Sequence, residues 1–234
     1  MKNIKIKQII LNSDFKPSIG NKNLNFYLNN FSYYHLRDFD FNIKTKILVD
    51  GQFFVSLINI LLNKSIKRNS FDFTSNASEI FNFISKNNKK LFVIGSTEEN
   101  SDIFKTFLLK KYNINNCTSI NGFVKNINQF LLTKNIHDSF VIIGTGSPFQ
   151  ENLANFVYEN FINTEVYTCG GFITQTAESI ISNNNHNYYP VFFAKYNLRW
   201  LYRLLNTKYV FKRIILYYPI STIYFFYNFI ISKK

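Results

Sequence analysis

Short apolar runs and longer stretches with apolar residues at helical spacing alternate along most of this chain. Residues 5–11 alternate polar and apolar positions, as a half-buried strand does. Residues 46–49 form a short strand ending at Asp50-Gly51, and residues 52–62 carry apolar side chains at helical spacing. Asn76, with Glu79 three residues on, predicts a capping-box start for a helix to Lys86. Residues 91–94 read as a buried strand ending in Gly95-Ser96, followed by helices over 101–111 and 124–133. A strand over 140–143 stops at Gly144-Thr145-Gly146, and Pro148 opens a helix over 149–160. A last strand, 165–168, ends at Gly170-Gly171 before a helix over 174–181. This alternation predicts an α/β fold with a Rossmann-like, mainly parallel sheet and helices on both faces. Ligands in such sheets bind beyond the carboxyl ends of the strands, so Asp50, Gly95, Gly144 and Gly170 should converge on one crevice.

The pattern changes after the low-complexity stretch 182–189, which reads as a loop. The chain therefore divides into an α/β domain, 1–187, and a basic, apolar helical appendage, 188–234. A helix over 192–205 would set Lys195, Arg199 and Arg203 four residues apart, as one basic stripe. Residues 214–232 then run for 19 positions without a charge. A membrane span needs roughly 20 apolar residues. This run contains Pro219, Ser221, Thr222, Asn228 and several tyrosines, with cations at both ends. It reads first as an interfacial, monotopic anchor, then as a span, and last as a core helix under the α/β domain.

Composition sharpens this picture. A chain of 234 residues suffices for one α/β domain with a full core and a small appendage. The formal charge is +13, and no acidic residue follows Glu178. Such asymmetry implies a polyanionic partner: an anionic lipid surface, a diphosphate or nucleic acid. Two cysteines, Cys117 and Cys169, form no disulfide framework or metal spacing, which fits a reducing cytoplasm. His35, His137 and His186 are scattered, and the N-terminus lacks the apolar run of a signal peptide. Asp38-Phe39-Asp40 has the letters of a metal-binding D-x-D but lies among charged residues after a helix-like run.

The stretch S-F-V-I-I-G-T-G-S-P-F-Q-E, from Ser139 to Glu151, is a strand–loop–helix junction. Backbone N–H groups and the positive end of a helix face a ligand at such junctions. C-G-G-F follows at Cys169 to Phe172 and N-L-R-W-L-Y-R-L-L at Asn197 to Leu205, and V-D-G precedes it at Val49 to Gly51. In this order and spacing the set resembles the WecG/TagA/CpsF glycosyltransferases (glycosyltransferase family 26), from about Phe26 to Arg213. The resemblance implies that Asp50 is the catalytic general base, since inverting glycosyl transfer needs one carboxylate to take the acceptor hydroxyl's proton. It sets Asn29 on the family's early Asn, with Tyr27 in place of a Thr and Asn30 as a rival for the register. It sets Arg68 on an Arg able to hold a phosphate or a sugar hydroxyl. Asp72 falls near a family Asp in a shorter motif, and a structural or a functional role is open to it. Gly95, Gly144, Gly146 and Gly171 lie at the strand ends. Gln150 is an amide able to read a sugar or nucleobase, and Glu151 caps or orients a neighbour. Cys169 stands where the family has Val and reads as a packed thiol. Arg203 matches a family Arg, Arg199 replaces a Glu, and with Arg213 they either meet the leaving diphosphate or lie on anionic lipid.

The resemblance thus implies an inverting transferase that moves a sugar, N-acetylmannosamine or a related hexose. The donor is a UDP-sugar and the acceptor a polyprenyl-diphosphate-linked sugar, in cell-surface polysaccharide biosynthesis. Metal-independent transfer with no cofactor, an anionic membrane surface as partner, no nucleic acid, and peripheral attachment at the cytoplasmic face of the plasma membrane are expected. The alternative is a basic membrane- or nucleic-acid-binding α/β protein without transferase activity. A dinucleotide oxidoreductase is disfavoured because Phe149 stands where the third Gly of G-x-G-x-x-G would be.

Overall fold

The computed structural model describes residues 22–39, 41, 45–63, 65–182, 192–193, 196, 201–202 and 211–231. Six strands, β1 Asn23–Leu28, β2 Thr45–Val49, β3 Lys90–Gly95, β4 Cys117–Ile120, β5 Ser139–Gly144 and β6 Glu165–Thr168, form one sheet. Their order is β2-β1-β6-β5-β3-β4, and every pair is parallel. The helices are α1 Asn30–His35, α2 Gln52–Leu62, α3 Ala77–Lys86, α4 Glu98–Tyr112, α5 Ile127–Leu132, α6 Phe149–Asn160 and α7 Phe172–Ile181. A π-helical turn, Arg213–Tyr217, leads into α8, Tyr218–Ile231. The Rossmann-like parallel sheet expected from the alternation is the observed fold.

Side chains alternate across the sheet, and each face has its own core. Val93, Ile142, Tyr167 and Tyr27 pack with Phe81 of α3, Phe104 of α4 and Ile173 of α7 on one side. Phe26, Ile94, Val141 and Val166 pack with Leu131 of α5 and Val157 of α6 on the other. Burial on both faces explains why the central strands are apolar at nearly every position. The helices follow equally local rules. In α3, Ala77, Ile80, Phe81 and Ile84 are buried, one stripe at helical spacing. α4 has Thr97 as its cap, accepting from the Asn100 N–H at 3.3 Å. Glu98 and Glu99 fill its first turn and Lys110 and Lys111 its last, matching the helix dipole.

Three sequence expectations change. Strands β1 and β4 were not anticipated. β1 interrupts its apolar pattern with Asn25, which is fully buried because its Nδ2 donates to the Val166 carbonyl at 3.2 Å. Among the described residues β4 pairs with β3 alone, at the sheet edge, which tolerates polar Thr118 and Ser119. Asn76 does precede α3, but its side chain makes no capping bond. Its Nδ2 instead donates to the Tyr27 hydroxyl at 3.1 Å, across to β1. The capping box lies at α1, where Asn29 Oδ1 accepts from the Ser32 N–H and Ser32 Oγ accepts from the Asn29 N–H. The strand expected over 5–11, Arg199, Arg203 and the boundary at 187–188 lie outside the described residues, as does most of the helix expected over 192–205.

Among the described residues, Ile214–Ile231 is one helical stretch long and apolar enough to cross a membrane by length and composition. It lies on the α/β body. Ser221, Phe225 and Asn228 form its buried stripe. The Phe225 ring packs at 5.3 Å from Tyr33 of α1 and 5.4 Å from Phe54 of α2. Asn30 Nδ2 donates to the Tyr218 carbonyl at 3.1 Å, and Asn228 Nδ2 to the Tyr33 hydroxyl at 3.0 Å. Its opposite face leaves Ile215, Ile220, Ile223, Phe226 and Ile230 exposed. One stripe thus belongs to the core while the rest of the apolar surface faces outward. Truncating a fully buried Phe costs about 3–5 kcal/mol. Phe225→Ala should therefore release α8 and expose the bonds after Lys212 and Arg213 to trypsin, with the sheet intact by far-UV circular dichroism. Unchanged protection would show that Phe225 does not hold the helix.

Candidate active site

The parallel sheet delivers six loops to one edge, and a cavity of about 1270 Å³ opens there. Asp50 after β2, Asn29 after β1, Gly144 and Gly146 after β5, and Gly171 after β6 line it, together with Arg68 and Gln150. Gly95 stands one residue back, and Ser96 takes its place in the wall. Tyr218, Pro219, Thr222 and Ile223 of α8 line the same cavity. Glu151 is buried behind Gln150. The Arg213 backbone lies one residue before Ile214, another lining residue, while its side chain and all of Arg203 lie outside the described residues.

Two of the glycines serve packing. A Cβ on Gly95 would stand 2.6 Å from the Gly144 carbonyl oxygen, and one on Gly144 would stand 2.8 Å from that of Gly170. The strand ends approach this closely only without side chains. Gly146 differs: its φ is +85°, and the space where a Cβ would stand is open. Gly170 (φ +57°) is open in the same way, and both line the cavity.

At the β2 end, Gly51 (φ +87°) turns the chain into α2, and its N–H donates to Asp50 Oδ1 at 2.7 Å. Arg68 reaches the same oxygen through Nε at 3.1 Å and Nη2 at 2.9 Å. Nη2 also lies 2.8 Å from Asp72 Oδ2. Asn59 of α2 clamps the intervening loop, donating to the Ile66 carbonyl at 3.0 Å and accepting from its N–H at 2.8 Å. Burial alone would raise the Asp72 carboxyl, but the Arg68 charge and hydrogen bonds from Thr74, Arg68 and Ser70 hold it at about 2. Burial opposes the Arg68 charge in turn, yet the two carboxylates raise its pKa above the ordinary value. Asp50 Oδ2 makes no hydrogen bond among the described residues, and a third of the side chain is exposed.

At the centre, the Gln150 amide is engaged at both ends. Its Oε1 accepts from the Gly170 N–H at 3.0 Å, and its Nε2 donates to Glu151 Oε1 at 2.8 Å. Ser147 Oγ donates to Glu151 Oε2 at 2.8 Å. Glu151 orients its neighbour, as expected, and Gln150 ties the β5 junction to the β6 loop. The peptide before Pro148 is cis, and α6 starts at Phe149. Cys169 is buried with its thiol pushed above the ordinary range by desolvation, as a packed thiol is. Asn29 spends its Oδ1 on the α1 cap, while its Nδ2 has no acceptor among the described residues. Asp38 is exposed and 3.3 Å from Arg37, and Asp40 lies outside the described residues. Sequence reasoning missed Ser96, Gly122, Phe123 and Thr145 in the cavity wall. Gly122 follows β4 as part of an Asn-Gly pair, the signal that would have found this end once β4 was recognised.

Parallel strands, a cavity over their carboxyl ends and a carboxylate at one side define a Rossmann-like α/β protein with a ligand crevice. The family model of the glycosyl transferase WecG/TagA/CpsF family matches residues 20–234, and the chain belongs to that family. It is 32% identical over 198 residues to a UDP-Gal:alpha-D-GlcNAc-diphosphoundecaprenol beta-1,4-galactosyltransferase of Shigella boydii, covering 82% of this chain and 81% of that protein.

Glu151 sets a pH dependence of stability. It is desolvated, with only neutral donors on its oxygens, and its pKa is raised. An acid whose native pKa is raised stabilises fully below its unfolded value, about 4.3, and loses that stabilisation as pH rises toward the native value. Melting temperature should therefore fall for the wild type relative to Glu151→Gln as pH rises from about 4 to 8. A constant difference across that range would show that folding does not shift the Glu151 pKa.

Proposed function

We propose that this protein is an inverting glycosyltransferase that moves a hexosyl group from a UDP-sugar to a polyprenyl-diphosphate-linked sugar in cell-surface polysaccharide biosynthesis. The carrying observation is Asp50. Gly51 and Arg68 hold one of its carboxylate oxygens, while the other is open at the cavity. The Shigella relative, which by its name uses UDP-galactose and a diphosphoundecaprenol-linked acceptor, supports both substrate classes. Galactose thereby joins N-acetylmannosamine among the candidate donor sugars.

In this reading Asp50 Oδ2 takes the proton of the acceptor hydroxyl. The acceptor's hydroxyl oxygen forms its bond to the anomeric carbon from the face opposite the nucleotide. The bond from that carbon to the β-phosphate oxygen breaks, and its electron pair leaves with UDP. The open approach at Gly146 suits the diphosphate, and Arg203 and Arg213 are the cations proposed to meet its charge. In this reading no divalent metal is needed, because backbone N–H groups and these cations meet the charge that develops on the leaving diphosphate. The assay is UDP release with a lipid-diphosphate-sugar acceptor in the presence of EDTA. Asp50→Asn should keep UDP binding and lower turnover by ~100-fold or more, as loss of a positioned base does. Turnover near wild type would eliminate Asp50 as base, and a requirement for Mg²⁺ or Mn²⁺ would bring Asp38 and Asp40 back into consideration.

The acceptor's lipid calls for a membrane-facing protein, peripheral at the cytoplasmic face. The outward apolar face of α8 and six cations between Lys195 and Arg213 support this attachment. Each cation near an anionic surface adds on the order of 1 kcal/mol. Binding should require vesicles containing an anionic phospholipid and weaken with salt. Flotation with neutral vesicles that survives high salt would favour a spanning helix.

A further inference from the structure

We propose that Asp72 is a positioning residue for the transfer reaction: it divides the Arg68 guanidinium with Asp50, and so fixes the base's orientation while leaving it able to accept a proton. This rests on the assignment of Asp50 as the general base. The geometry comes from one nitrogen. Arg68 Nη2 stands 2.9 Å from Asp50 Oδ1 and 2.8 Å from Asp72 Oδ2. A guanidinium paired with Asp50 alone would hold the same oxygen but oppose protonation of the carboxylate with a full positive charge. With two carboxylates on one cation the cluster carries a net charge of −1, and the free Asp50 Oδ2 is the oxygen left to receive the proton. Asp72 is itself immobilised: Oδ2 accepts from Ser70 Oγ at 2.8 Å, and Oδ1 from the Thr74 N–H at 2.8 Å and Thr74 Oγ1 at 2.6 Å. Those bonds and the Arg68 charge keep it ionised, so it does not compete for the acceptor's proton.

The same geometry gives Arg68 a task other than holding the donor phosphates. Its Nε and Nη2 are committed to carboxylates. The other titratable groups facing this end are few. The Tyr27 hydroxyl of β1 feels both carboxylates and is raised chiefly by burial. Cys169 after β6, Glu178 of α7 and Tyr218 of α8 line the remaining wall. None of these three carries a positive charge.

The test is the pH profile of kcat/KM for UDP release in the full-length protein. In Asp72→Asn, Asp50 faces an undivided guanidinium. An opposite charge within a few ångströms lowers a carboxyl pKa by about 1 unit or more. The acid limb should therefore move down by about 1 pH unit, and the plateau rate should fall about tenfold as the base weakens, with UDP affinity unchanged. Thr74→Ala removes a bond holding the Asp72 loop without altering charge. It should lower melting temperature and leave the acid limb in place. An unmoved limb in Asp72→Asn, or the same displacement in Thr74→Ala, overturns the proposal. Should Asp72→Asn fail to fold, Arg68→Lys decides: a fall in kcat at constant donor KM supports a positioning role, and a rise in donor KM at constant kcat overturns it. If Asp50→Asn itself turns over normally, the base assignment fails. If Asp50→Asn is inactive and the Asp72→Asn profile is unmoved, only the role of Asp72 fails.

Discussion

Because all six strands run the same way, every loop that follows a strand emerges at one edge of the sheet, and the cavity opens there. The edge is crowded. Gly95, Gly144 and Gly170 meet backbone to backbone, and no larger side chain fits at the first two. This close approach holds the ends of β3, β5 and β6 together beside the Gly146 turn. Both cores, above and below the sheet, act to hold that edge in register.

On this scaffold the polar groups described above form two separate clusters. Gly51, Arg68, Ser70 and Thr74 surround the two aspartates, and Ser147, Gln150 and the Gly170 N–H surround Glu151. Half-buried ion pairs contribute little net stability, since desolvation offsets attraction. They do restrict orientation, and a base must be held in a narrow range of directions to be effective. The Glu151 cluster works differently. It carries no cation, so its value is geometric: it joins the loop after β5 to the loop after β6 through one amide.

The helix α8 links the cavity edge to the surface. Its inner stripe packs on α1 and α2 through Phe225, and Tyr218 and Thr222 reach the cavity. Its outer face remains apolar. A helix that contributes a wall to the cavity while presenting Phe226 and Ile230 outward joins that cavity to whatever apolar phase lies outside.

Much of the fold was legible locally. The alternation of apolar runs with helical spacing is a property of neighbours in the chain, so β2, β3, β5 and β6 and most helices were read with small errors at their ends. Asp50, Gly144 and Gly170 were legible as strand-end residues for the same reason, and the glycine-rich and Trp-Leu-Tyr-Arg motifs carried the family. What the sequence could not reveal was decided by strand order. Asn25 belongs in β1 only because Val166 of β6 lies beside it. Asn76 faces Tyr27 instead of capping its own helix. Gln150 meets Gly170, 20 residues on, because β5 and β6 are adjacent. Arg68 joins Asp50 to Asp72 because its loop runs along β2, where the Asn69 N–H donates to the Val49 carbonyl. Periodicity determined which segments were strands and helices and which residues ended them; the order β2-β1-β6-β5-β3-β4 alone decided which of those residues could touch, because hydrogen bonds act over about 3 Å of space and not along the chain.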